Sequence, residues 1–277
     1  MTGKSLLITG CSSGIGYDAA HGMRARGWRV FASCRQEADC ERLRAEGFES
    51  PRIDYTDPDS IHSGLAEVLE ATGGTLDALF NNGAHGLPGA VEDLPTDGLR
   101  AIFESNVFGW HELTRAVIPV MRAQGHGRIV QNSSVLGFVT YPWRGAYVTT
   151  KYAIEGLTDT LRIEMRDTPI KVILIQPGPI GTKIRLNSIP HFERWIDWKS
   201  SARATQYQET LLKRLYDTPK GPDPFELPPE AVTKKLVHAL EAKNPHPRYL
   251  VTTPTYISNL ARRLFPTRIL DWFIAKG

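Results

Sequence analysis

Five short apolar runs, Ser5–Thr9, Trp28–Ser33, Leu76–Asn81, Arg128–Ser134 and Lys171–Gln176, recur along this chain with amphipathic segments between them. A strand that is apolar along its whole length has both faces covered, and the amphipathic segments supply the cover. The alternation predicts an α/β fold, a doubly wound parallel sheet of about seven strands with helices on both faces. At 277 residues and 41% apolar content the chain suits one domain, residues 1–277, and a second would be cramped. No fixed-period repeat or low-complexity tract suggests a solenoid or a linker.

The rhythm breaks after Thr182. From Lys183 to about Pro229 the sequence is irregular, with Phe192, Trp195, Trp198 and Tyr207 among charges, and residues 183–228 are expected to form a flap over a pocket. A helix is expected over Pro229–Ala242 and a strand over Arg248–Thr252. The basic, amphipathic tail, about 253–277, is expected to pack on the body as helix, with contact to a membrane surface as the alternative.

Basic residues exceed acidic ones by 33 to 30, too small a margin for a nucleic-acid groove. Cys11, Cys34 and Cys40 have no metal-ligand spacing, and an odd count argues against a disulfide framework, which fits a reducing cytoplasm. No metal is expected. The first apolar run is too short for a signal sequence or a spanning helix, so no stable membrane insertion is expected.

After the first strand run comes Thr9-Gly10-Cys11-Ser12-Ser13-Gly14-Ile15-Gly16. Glycines in a strand-to-helix turn let backbone amides approach a pyrophosphate, and the next helix aims its positive end there. The spacing is Gly-x3-Gly-x-Gly, so its position carries the argument: a dinucleotide cradle in a Rossmann-type sheet. At the end of the second run, where an NAD site usually places a carboxylate, stands Cys34-Arg35. Arg35 can clasp a 2′-phosphate and Ser12 can donate to it, which favours NADP(H). Asp54, after a third strand, is expected either to accept from the adenine amino group or to cap the helix beginning near Asp57–Ser60.

Tyr147 and Lys151 are four residues apart, so a helix from about Gly145 puts both on one face. A phenol with a pKa of about 10 needs a nearby cation to exchange protons near neutrality, and Lys151 can supply it. Ser133 and Ser134 would emerge at the carboxyl edge of the sheet, where either hydroxyl could hold a carbonyl oxygen or serve as a turn residue. Asn106 falls within the apolar helical stripe of Leu99, Ile102, Phe103, Trp110, Leu113 and Val117. A buried amide needs partners, so it either locks two core elements or holds a water that passes protons to Lys151.

The ordered set Thr9-Gly-x3-Gly-Ile-Gly16, Asp54, Asn81-Asn82, Asn106, Ser134, Tyr147-x3-Lys151 and Pro177-Gly178-Pro179-Ile180-Gly181-Thr182 strongly resembles the short-chain dehydrogenase/reductase family over about Lys4 to Thr182. The resemblance implies that Ser134 is the catalytic serine and that Asn106, Ser134, Tyr147 and Lys151 act together. It also implies that Asn82, Pro177, Ile180 and Thr182 contact the cofactor, with the last three at the nicotinamide end, and that the protein is a homodimer or homotetramer through the helices bearing Asn106 and Tyr147. Asn81-Asn82-Gly83-Ala84 stands where the family usually reads Asn-Asn-Ala-Gly. Thr150 stands where serine is frequent. The glycine turn, Arg35 and the tail are similar to the NADP(H)-preferring hydroxysteroid and retinol dehydrogenase branch.

The expected chemistry is hydride transfer between a nicotinamide and a carbonyl or secondary alcohol. Phe138, Tyr141 and Trp143 lie between the two catalytic side chains in sequence, which suits a hydrophobic ketone, aldehyde, steroid or retinoid, although they could equally pack the flap. His85 and His191 read as structural or solvated, for want of an evident partner. The competing functions are a catalytically silent NADP(H)-binding sensor or scaffold, and an epimerase or dehydratase.

Overall fold

A computed structural model describes residues 3–217 and 221–276; the expected flap's residues 218–220 and the last tail residue lie outside them. The elements run β1 (Ser5–Ile8), α1 (Gly14–Ala25), β2 (Arg29–Ala32), α2 (Glu37–Ala45), α3 (Pro58–Thr72), β3 (Ala78–Asn81), α4 (Thr96–Phe103), α5 (Gly109–Ala123), β4 (Gly127–Asn132), α6 (Gly145–Glu164) and β5 (Ile170–Gln176). There follow α7 (Ile184–Trp195), α8 (Ala204–Gln206), α9 (Leu212–Tyr216), α10 (Glu230–Glu241), β6 (Arg248–Leu250), α11 (Thr253–Leu264) and α12 (Thr267–Lys276).

The sheet is parallel throughout, in the order β2-β1-β3-β4-β5-β6. Alternation along β1 sorts its side chains to opposite faces. Leu6 and Ile8 join Met23 of α1 and Leu236 of α10 on one face, and Leu7 joins Leu65 of α3 and Leu113 of α5 on the other. This Rossmann-type sandwich is the predicted architecture.

Six strands form among the described residues, against about seven expected. The missing one is the run before Asp54, which makes only single bridges, Phe31 to Glu49 and Cys34 to Arg52. Pro51 interrupts it and has no N–H for a ladder. The Ser50 hydroxyl donates to the Ala32 carbonyl at 2.6 Å in place of a backbone group.

The segment after Thr182 is largely helical, carrying α7, α8, a π turn over Tyr207–Leu211, and α9. Its apolar residues bury Phe192, Ile196, Tyr207, Leu211 and Leu215 against Leu87, Ile102 and Ala146, so tertiary packing supplies the order its weak periodicity concealed. The tail is helical as expected, yet it does not pack its apolar side on the body: Ile257, Leu260 and Leu264 are exposed. No described helix is long and apolar enough to cross a membrane.

Candidate active site

The chain leaves β1 toward β2 on one side and returns to place β3 on the other, so a crevice opens beyond the carboxyl ends of β1, β3 and β4. The glycine turn, Asn82 and Ser134 all follow these three ends.

Gly10 has φ +69°, and a Cβ there would stand 2.5 Å from the Gly83 Cα. At Gly16 a Cβ would stand 2.3 Å from the Gly10 carbonyl oxygen. Both contacts require glycine. Ser13 starts α1 without a side-chain cap, which leaves the first-turn amides at Gly14, Ile15 and Gly16 for an anion. Asn82 braces the turn by donating to the carbonyls of Thr9 at 3.0 Å and Gly10 at 3.3 Å. At the reordered Asn-Asn-Gly-Ala, the Gly83 carbonyl accepts from the Trp110 indole at 2.7 Å, and a Cβ on Gly83 would meet Gly10 only at 3.4 Å, so the structure does not explain glycine there. Across the crevice, the Thr182 side chain lies 3.1 Å from where a Gly14 Cβ would be, so the Pro177–Thr182 loop faces the cradle. That loop is held by Val135 N–H donating to the Pro177 carbonyl at 2.7 Å and by a bridge from Ile180 to Leu227.

Arg35 is exposed just beyond the end of β2, and its charge helps to lower the pKa values of His85 and His191. Arg42, which the sequence reading missed, donates to the Ser12 carbonyl at 2.8 Å and so adds a second cation beside the turn. Asp54 does not cap α3. Its Oδ1 accepts from Thr56 N–H at 3.0 Å and the Thr56 hydroxyl at 2.9 Å, whereas Asp57 caps the helix by accepting from Ser60 N–H at 3.2 Å.

The predicted helix places Tyr147 and Lys151 in successive turns of α6. Lys151 is 1% exposed; its Nζ donates to the Asn132 carbonyl at 2.8 Å, and stands 4.3 Å from the Trp110 ring centre and 5.5 Å from that of Tyr147. Asn132 in turn donates to Asn82 Oδ1 at 2.8 Å, so one polar chain joins the lysine to the glycine turn. Burial lowers the ammonium pKa from 10.5 to about 7, opposed by Glu155 one turn further on. Burial pushes the Tyr147 phenol well above its usual range, and a hydrogen bond from Ser134 and the Arg144 guanidinium pull it back. Arg144, at the start of α6, was not foreseen, because an arginine before a helix carries no motif of its own. Ser134 Oγ accepts from Leu136 N–H at 3.1 Å and donates to the Pro177 carbonyl at 3.5 Å.

Asn106 lies in a π turn, Glu104–Phe108, that joins α4 to α5 in one helical run. Such a bulge shifts the bonding register and re-aims side chains. Its amide is fully buried: Oδ1 accepts from His85 N–H at 3.1 Å, and Nδ2 donates to the His85 carbonyl at 2.9 Å and to Thr150 Oγ1 at 3.4 Å. Of the two expected roles, the locking of two core elements is the one these bonds display.

His85 and His191 are not solitary. Their rings stack at 3.7 Å between centroids and 13° between planes, which ties the loop after β3 to α7. Burial, the paired ring and Arg35 depress the His85 pKa from 6.5 to about 3. The unfolded chain therefore binds this proton first, and stability drops as pH falls below 6.5 toward 3. His85→Phe is expected to flatten that limb between pH 7 and 5 in thermal melts. A pH dependence identical to wild type would refute the assignment.

Of the three aromatics between Ser134 and Tyr147, only Trp143 joins the tyrosine, in a cluster with Trp195 and Trp198. Phe138 is buried beside Tyr152 and Arg248, and Tyr141 is 43% exposed. No group of three or more metal-ligating side chains forms among the described residues.

The family model for short chain dehydrogenases matches residues 4–191. The chain is 38% identical over 268 residues to the uncharacterized oxidoreductase YbbO of Escherichia coli, covering 97% of this chain and 93% of that one. It is 31% identical to the NADPH-dependent 3-dehydrocapnine reductase of Ornithobacterium rhinotracheale, with 96% and 94% covered. A short chain dehydrogenase/reductase from Burkholderia phymatum in complex with NAD superposes with a TM-score of 0.79 at 25% identity, covering 99% and 95%. The chain belongs to the short-chain dehydrogenase family and is an oxidoreductase of that type.

Proposed function

We propose that this oxidoreductase uses NADP(H) to interconvert a hydrophobic ketone or aldehyde and its alcohol, with Tyr147 as the acid/base. The observation that carries the reading is the buried Lys151 ammonium 5.5 Å from the Tyr147 ring centre on the same helix, at the crevice whose other wall is the glycine turn. The cradle fits a dinucleotide: two glycines whose Cβ would strike backbone, uncapped helix amides, and two arginines nearby. Gly10, Ser12, Ser13, Gly14, Ile15 and Gly16 would hold the pyrophosphate side, Arg35 the 2′-phosphate and Asp54 the adenine. Asn82 would brace the turn, and Pro177, Ile180 and Thr182 would hold the nicotinamide end.

The bound nicotinamide supplies or accepts the hydride. In reduction, the Tyr147 hydroxyl donates its proton to the substrate oxygen, and Ser134 Oγ fixes that oxygen. Lys151 holds its charge behind the phenol and is itself anchored to Asn132. Asn106 positions the backbone at His85. Trp143, Trp195 and Trp198 in one cluster with Tyr147 favour an apolar substrate. Phe108, Leu157 and Ile163, exposed along the helices bearing Asn106 and Tyr147, suit the homodimer or homotetramer that the family resemblance implies.

The cofactor assignment is tested by fluorescence titration with NADPH and NADH. A charge-assisted contact to phosphate is worth roughly 1.5–3 kcal/mol, so Arg35→Ala is expected to weaken NADPH binding about 10- to 100-fold and leave NADH binding nearly unchanged. A preference that survives the substitution would defeat this account. Turnover of hydrophobic carbonyls by the wild type, followed as NADPH oxidation, separates the enzyme from a silent sensor.

A further inference from the structure

The two C-terminal helices are built inside out. In α11 the one fully buried residue is Thr255, whose hydroxyl bonds Thr252 at 3.0 Å, and the face toward the body carries Asn259 and Arg262 above Tyr152. Its leucines and isoleucine point the other way: Ile257 is 60% exposed, Leu260 58% and Leu264 65%. In α12, Trp272 and Phe273 are 54% and 57% exposed, and the Phe265 and Phe273 rings meet at 6.5 Å across the joint between the helices. A helix at the surface of a soluble domain turns its apolar stripe inward, so this continuous outward stripe needs a cover from outside the fold.

Charge selects the cover. From Thr253 to Lys276 the sequence carries Arg262, Arg263, Arg268 and Lys276 against Asp271 alone. That surplus of three equals the surplus of the whole chain, so the rest of the sequence is balanced. Among the described residues Arg262, Arg263 and Arg268 form no ion pair. A second copy laid on this face by two-fold symmetry would set like charge against like charge. An apolar stripe with aromatic residues and flanking arginines instead matches a bilayer surface, where rings enter the interface and cations meet anionic headgroups.

We propose that α11 and α12 form a reversible docking surface for anionic lipid membranes. The helices lie on the surface and do not span it, since neither is long enough to cross. α11 also packs, by its body side, against the turn Val135–Gly137 that directly follows Ser134, so the docked helix adjoins the candidate site.

The test is flotation of the full chain with phosphatidylcholine vesicles, with and without phosphatidylserine, at low and high salt. Binding is expected to vesicles that contain phosphatidylserine and to disappear at high salt or on pure phosphatidylcholine. Each surface cation contributes about fivefold, so R263Q/R268Q is expected to bind about 25-fold more weakly. W272S/F273S is expected to lose at least about tenfold. Unchanged melting temperature and NADPH binding in these variants show that the fold is intact. Failure of the wild type to float with either vesicle, or equal flotation of W272S/F273S, overturns the proposal. So does a wild-type oligomer that W272S/F273S dissolves without any vesicle binding, which would make the face a self-interface.

Discussion

Tyr147→Phe is expected to lower turnover of a carbonyl substrate about 1000-fold while NADPH affinity stays within about threefold of wild type. The loss follows from removing one proton donor: general acid catalysis by a positioned side chain contributes roughly 10²–10⁴. The phenol packs against the cluster of Leu87, Ile102 and Ala146, and phenylalanine preserves that ring. Only the hydroxyl beside Ser134 disappears, so the melting temperature should move little. Steady-state NADPH oxidation and equilibrium titration of the same two proteins check both halves. Undiminished turnover would remove Tyr147 from the chemistry. No turnover in either protein across a broad carbonyl panel would favour the silent NADP(H)-binding alternative.

Local signals made the sheet and the catalytic pair legible in the sequence. Two-faced burial leaves three consecutive apolar residues in each of β1 and β3, Leu6–Ile8 and Ala78–Phe80, and those runs are visible without any tertiary knowledge. The four-residue step from Tyr147 to Lys151 needs only a helix, and α6 supplies it. The features that stayed hidden depend on partners distant in sequence. Nothing local says that His85 stacks on His191, over a hundred positions away, or that Arg144 meets the phenol from outside the motif. The third strand expected before Asp54 makes only single bridges, because Pro51 has no N–H for a ladder. The outward direction of the tail's apolar stripe stayed hidden for a different reason. Its amphipathic pattern was read correctly, but a pattern has no means of stating which face meets the body.

The same lysine that the chemistry needs should burden the empty fold, and this gives the last prediction. Depression of the Lys151 pKa from 10.5 to about 7 corresponds to ~5 kcal/mol of burial penalty on the charged form, as an upper figure. Below about pH 7 both folded and unfolded chains hold the proton, and the penalty is fully present. As pH rises from 7 to 10.5 the unfolded chain keeps a proton that the folded chain has released, and stability increases. Lys151→Met removes the charge, keeps most of the volume, and leaves the Asn132 carbonyl without its 2.8 Å donor, which costs roughly 1–3 kcal/mol. The variant is therefore expected to be more stable than wild type by about 2 kcal/mol at pH 6, from the difference between those two magnitudes. The gain should shrink to nothing or reverse by about pH 9, and turnover should fall at least about 100-fold throughout. Urea melts of both proteins without cofactor, from pH 6 to 9, follow the difference directly. A gap that does not change with pH would mean that Lys151 does not titrate in this range. A site that gains stability when its charge is deleted is one whose charge is kept for the reaction.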